Sequence, residues 1–124
     1  MIAYVTLGTN DIARAAKFYD ELLGTIGIQR LMDLDRMILW GTSMDAPMLS
    51  ICKPYDGAAA TNGNGTMVSL GVASKEQVDA LYRKALALGG TCEGAPGPRG
   101  PDAEFYIGYF RDLDRNKLNS FYAG

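Results

Sequence analysis

With no histidine among its 124 residues, this chain must carry out any acid–base or metal chemistry with other side chains. Imidazole titrates nearest neutrality and is the commonest metal-binding side chain, so its absence removes both roles together. Three groupings of the remaining residues have a spacing that chemistry can use. Asp112, Asp114 and Asn116 alternate like the first three oxygen ligands of a calcium loop. That pattern then fails, because Lys117 and Ala123 stand where such a loop needs glycine and glutamate. The three residues read instead as a β-turn closed by side-chain-to-backbone hydrogen bonds. Asp102 and Glu104 form an acidic pair just after Arg99, beside a Gly- and Pro-rich stretch. The carboxylates can serve as a base and the guanidinium can clamp an anion. Nothing in the sequence tunes the carboxylates, and Arg99 reads first as a solvated loop charge. Cys52 follows Ser50 by two residues, so both share one face of a strand. With no histidine to lower its pKa, that thiol reads as inert.

Composition narrows the partners. Twelve basic and 14 acidic residues leave a net charge of −2, which gives no electrostatic footprint for nucleic acid or an anionic membrane. No apolar run approaches the roughly 20 residues of a membrane span. The chain enters a strand-like run at Met1-Ile2-Ala3-Tyr4 with no basic segment ahead of it, so no signal peptide is expected. Two cysteines do not make a disulfide framework. A cytoplasmic protein is expected, and its length suits a single domain, 1–124.

The elements that must position these groups come from an internal repeat. Val5-Thr6-Leu7-Gly8 recurs 63 positions later as Val68-Ser69-Leu70-Gly71, and Phe18-Tyr19 then falls on Leu81-Tyr82. With six extra residues in the second copy, Asp45 meets Asp114, Leu49 meets Leu118, and Ser50 meets Asn119. Each copy reads as β-α-β-β-β. In the first, strands are predicted at 2–8, 28–32, 36–40 and 48–53. Its helix is capped by Asn10 and carries Ile12, Ala15, Tyr19 and Leu22 at helical spacing. In the second, strands are predicted at 66–72, 91–93, 105–111 and 117–123. Ser74 and Gln77 make a capping box there, and Val78, Leu81, Ala85 and Leu88 form the buried stripe. Module one spans about 1–53, a turn-forming linker 54–65, and module two about 66–124. Gly94 to Pro101 is predicted as a long ordered loop or a mobile flap.

Two tandem βαβββ units, with Tyr4-Val5-Thr6-Leu7, a first helix running Asn10 to Phe18-Tyr19, and Phe110-Arg111-Asp112-Leu113-Asp114-Arg115-Asn116-Lys117-Leu118, resemble the glyoxalase/bleomycin-resistance, or vicinal-oxygen-chelate, superfamily. The likeness runs nearly end to end. It implies an α+β fold in which the two modules form an open, partly closed barrel-like sheet whose concave surface holds a small molecule. It also implies a homodimer. Members with a metal hold it on the first and last strands of each module, usually through His or Gln and Glu. Here those positions are Tyr4 and Met67 on the first strands, and Ser50 and Asn119 on the last. None is a strong ligand for zinc, nickel, iron or manganese. An extradiol iron site, which needs two histidines, is ruled out by their absence.

The expectation is therefore a protein of this superfamily that works without metal or other cofactor and binds a small organic molecule in the cleft. Tyr4, Trp40, Ser50, Met67, Arg99, Tyr106 and Asn119 are the cleft candidates. Trp40 reads first as core, and Tyr106 and Tyr109, three apart, must face opposite sides. Two alternatives remain open: a lyase or isomerase using Tyr, Asp or Glu, and a non-catalytic dimerisation domain. Any catalysis is expected to be lyase-type, not iron-dependent dioxygenation.

Overall fold

The computed structural model describes all residues, 1–124. Its order is β1 (Tyr4–Gly8), α1 (Ile12–Gly24), β2 (Gln29–Asp33), β3 (Met37–Gly41) and β4 (Met48–Cys52). There follow β5 (Val68–Gly71), α2 (Lys75–Ala87), β6 (Thr91–Arg99), β7 (Phe105–Arg111) and β8 (Lys117–Ala123). The strands form two four-stranded mixed sheets, ordered β1-β4-β3-β2 and β5-β8-β7-β6. In each, the first strand runs parallel to the last, and the register matches the repeat: Thr6 lies beside Ser50, and Ser69 beside Asn119. No ladder joins β1 to β5, so the sheets do not close into a barrel.

Helices α1 and α2 pack against each other and share one core that draws on both modules, including Leu7, Tyr19, Trp40, Leu81, Phe110 and Leu118. Strand alternation places Leu7, Ile38, Trp40, Leu49 and Ile51 on the helix side of the first sheet. Tyr4, Thr6, Leu39 and Ser50 take the other face. Burial of these side chains, worth about 1.5–3 kcal/mol for each large one, holds the modules together. No helix is long and apolar enough to cross a membrane.

Two local expectations are corrected. Asp11, not Asn10, caps α1: its side chain accepts from the Arg14 N–H. Asn10 Oδ1 instead accepts from the Ala60 N–H at 2.7 Å and so fastens the linker. The stretch from Gly94 is not a flap, since β6 continues to Arg99 and pairs Gly97 with Ile107 and Arg99 with Phe105. It does so as an edge strand, where proline's missing N–H is tolerated, with two register shifts around Gly94 absorbing the extra residues.

Candidate functional site

The two sheets present their inner edges, β1 and β5, to each other without hydrogen bonding. The gap between them holds a cavity of about 500 Å³, within the usual range for small-molecule sites. Val5 and Leu49 line it from the first sheet, Val68 and Leu70 from the second, and Leu23 and Ile26 from the end of α1. Met48, Met67 and the wall of Trp40 complete the apolar surface. Thr42 and Ser69 supply the side-chain hydroxyls, and none of the 16 lining residues is charged.

The cavity exists because the two repeats are not equivalent where they meet. The turn between β7 and β8 docks onto the end of β1. Asp112 Oδ1 accepts from the Asp114 and Asn116 N–H groups, and its Oδ2 accepts from Tyr19 Oη at 2.6 Å. Asp114 accepts from Thr9 Oγ1 at 2.6 Å and from the Asn10 N–H. Asn116 Nδ2 donates to the Gly8 carbonyl. The repeat places Ser43 where Asp112 stands and Pro47 where Asn116 stands. That turn closes on itself, through Asp45 N–H to Ser43 Oγ and Ala46 N–H to the Ser43 carbonyl. The strand ends record the difference. Leu7 is 4% exposed, whereas its counterpart Leu70 is half-buried. A Cβ on Gly8 would meet Ala60 of the linker at 3.0 Å, whereas one on Gly71 would meet nothing within 4 Å. One module end is sealed and the other is hollow.

The residues singled out from the sequence divide into groups. Met67 lines the cavity and its Sδ lies 3.8 Å from Asn119 Nδ2. Asn119 and Ser50 are 3% and 0% exposed. They alone in the chain carry buried side-chain atoms without a hydrogen-bond partner, Asn119 Oδ1 and Ser50 Oγ. These are repeat-equivalent positions, each beside a first-strand hydroxyl residue, Ser69 or Thr6. Tyr4 is half exposed on the same face as Thr6. Trp40 belongs to the core, its Nε1 donating to Asp20 Oδ1 at 2.8 Å. Tyr106 turns to the helix face and donates to Asp79 on α2 at 2.9 Å. Arg99 spends its guanidinium on the Ala95 and Pro98 carbonyls and lies over Tyr109. Glu104 accepts from the Asp102 N–H in a local turn. The seam itself was missed from sequence, as was the Tyr19–Asp112 bond. The available signal was the mismatch of Ser43 and Pro47 with Asp112 and Asn116.

The perturbed titratable groups lie elsewhere. Burial pushes the Tyr19 hydroxyl well above its ordinary value, with Asp112 and Asp114 adding to the effect. Burial likewise raises the Asp112 carboxyl, outweighing the donors from Tyr19 and Asn116 that pull it down. Hydrogen bonds raise Tyr106 (to Asp79) and Tyr82 (to Cys92), and the Arg111 guanidinium lowers Glu93. None of these side chains faces the cavity, so no acid or base stands ready at it. The positions expected to hold a metal offer hydroxyls, an amide and a thioether, and no three His, Cys, Asp or Glu side chains gather anywhere. A divalent first-row ion calls for charged or imidazole donors, so this set does not fit one.

Residues 1–119 match the family model of the Glyoxalase/Bleomycin resistance protein/Dioxygenase superfamily. A glyoxalase/bleomycin resistance protein from Albidiferax ferrireducens is 36% identical, with a TM-score of 0.91 over 100% of this chain and 99% of its own. A glyoxalase/bleomycin resistance protein/dioxygenase family enzyme from Burkholderia phytofirmans is 22% identical, with a TM-score of 0.79 over 98% of each chain. Lactoylglutathione lyase from Agrobacterium tumefaciens is 20% identical, with a TM-score of 0.71 over 98% of this chain and 92% of its own. The last two share the fold alone. Among curated proteins, none matches this sequence.

Proposed function

This chain belongs to the Glyoxalase/Bleomycin resistance protein/Dioxygenase superfamily, and on that premise we propose that it binds a small organic molecule, without a metal, at the seam between its two modules. The observation that carries this reading is the cavity of about 500 Å³ between β1 and β5, with eleven hydrophobic residues among its sixteen. A pocket of that size and character suits a compact organic ligand. The orphaned Oδ1 of Asn119, on the strand beside the lining residue Ser69, supports it further. A buried acceptor or hydroxyl without a partner costs about 1–3 kcal/mol, and a ligand can recover that cost. Metal independence rests on the neutral donor set at the expected ligand positions.

Catalysis by a Tyr, Asp or Glu draws no support from the cavity, whose lining holds none of them. Binding, as in sequestration or sensing, is the function favoured. The exposed Ile2, Tyr4 and Met67 near the open seam suit the homodimer common in this superfamily, and the two free cysteines suit a reducing cytoplasm.

A thermal-shift screen of several hundred small organic molecules tests the proposal, with Trp40 fluorescence as the second readout. Trp40 is the one tryptophan and forms part of the cavity wall. Ligands that raise the melting temperature and change Trp40 emission support the reading. A screen in which no compound does both overturns it.

A further inference from the structure

The chemistry of the seam restricts what enters it. Every lining side chain is uncharged, and the ion pairs of the chain, Arg14–Asp114, Arg30 with Asp20 and Asp33, and Arg111–Glu93, all lie outside it. An ionised ligand entering this space would lose its water and meet no counter-charge, a penalty that burial of an unpaired charge always carries. One polar group does wait beside the cavity. Asn119 is buried, its Oδ1 accepts nothing, and it is the strand neighbour of Ser69, which lines the space. Its Nδ2 rests on the Met67 thioether, and Met67 also lines the cavity. Met67 thus touches both the cavity and Asn119, which is not itself a lining residue, and an unbranched, exposed methionine is the residue best able to move aside.

Resting on the binding function proposed above, we infer that the seam takes a compact, uncharged, largely apolar molecule carrying a hydrogen-bond donor, and that Asn119 Oδ1 accepts that donor. Asn119 then sets specificity: it rewards an O–H or N–H and leaves an ether or hydrocarbon with the amide oxygen still unsatisfied.

Four naphthalene probes of similar size separate these claims: 2-naphthol, 2-methoxynaphthalene, 2-naphthoate and 2-naphthylmethylammonium. Binding is followed by NMR of protein labelled at the methionine methyl groups. Met48 and Met67 line the cavity, whereas Met32 and Met37 do not, so a seam ligand moves the first pair only. The expected order is 2-naphthol about tenfold tighter than the methyl ether, since a site built for a hydrogen bond discriminates against the analogue lacking it. Neither ion should move Met48 or Met67. In Asn119→Leu the naphthol-to-ether ratio should fall to about one while the ether still binds, which also shows that the variant is folded. An ion binding at the seam as well as naphthol overturns the charge selection, and equal affinity of naphthol and ether in the natural protein overturns the role of Asn119. Both outcomes leave the binding function standing. If no probe moves either methyl group, the inference fails; the binding function fails with it only if the broad screen is also empty.

Discussion

Tyr19 in α1 donates a 2.6 Å hydrogen bond to Asp112 at the start of the β7–β8 turn, across 93 positions of chain. Tyr19 is fully buried and Asp112 nearly so, and the bond ties module one to module two. Charged acceptors make stronger hydrogen bonds than neutral ones. Replacing Tyr19 by Phe keeps the ring contacts with Phe18 and Trp40 but leaves Asp112 with one donor fewer. The variant is expected to lose about 1–3 kcal/mol of stability in urea unfolding. An unchanged midpoint would mean that the bond contributes nothing net.

The same pair predicts a pH effect with a definite sign. Burial raises the folded Asp112 pKa above its ordinary value, so over the window opening at about pH 4 the folded state holds a proton that the unfolded state has released. Stability from this group is present below that window and is lost as pH rises through the raised pKa. Asp112→Asn removes the titration. The stability of the natural protein minus that of the variant should therefore shrink as pH rises from about 4 toward neutrality in parallel urea titrations. A difference that grows with pH would reverse the assignment.

Metal retention offers a third test. After incubation with nickel, zinc, manganese or iron(II) and desalting, elemental analysis should find far less than one equivalent of each. Near-stoichiometric metal would mean that Asn119, Ser50 or a nearby carboxylate builds a site from weak donors, and glyoxalase assays would be the next step.

The helix cap gives a paired prediction. Asp11→Ala removes the acceptor for the Arg14 N–H and should cost about 1 kcal/mol, with reduced helix content by circular dichroism. Asn10→Ala should leave α1 intact and loosen the linker at Ala60, read as faster hydrogen exchange there. Equal losses of helicity would restore Asn10 as the cap.

The repeat was legible because apolar positions recur with the periods of strand and helix, so Tyr19, Leu22, Val78 and Leu81 could be found in advance. The choice between Asn10 and Asp11 was not, since both side chains suit a cap and only the backbone angle at Asp11 (φ −148°, ψ 92°) decides. Strand β6 hid behind its glycines and prolines, which an edge strand tolerates and a central one does not. Tyr106 went to the helix face because strand parity follows from registers that a single sequence leaves free. The seam was harder to read for a further reason. Its walls, Val5 and Val68 among them, pair with Leu49 and Leu118 within their own sheets and not with each other, so no local pattern announces that they meet.

Ala60 packs over Gly8 and is fastened to Asn10, whereas nothing stands over Gly71. A duplicated chain has two such places but a single connector between its halves, and a connector can lie over only one of them. Perfect twofold symmetry is thus unavailable to any tandem duplication of this kind, however alike its halves begin. The uncovered place is free to diverge without disturbing the covered one, and it is there that related chains should differ most in what they recognise.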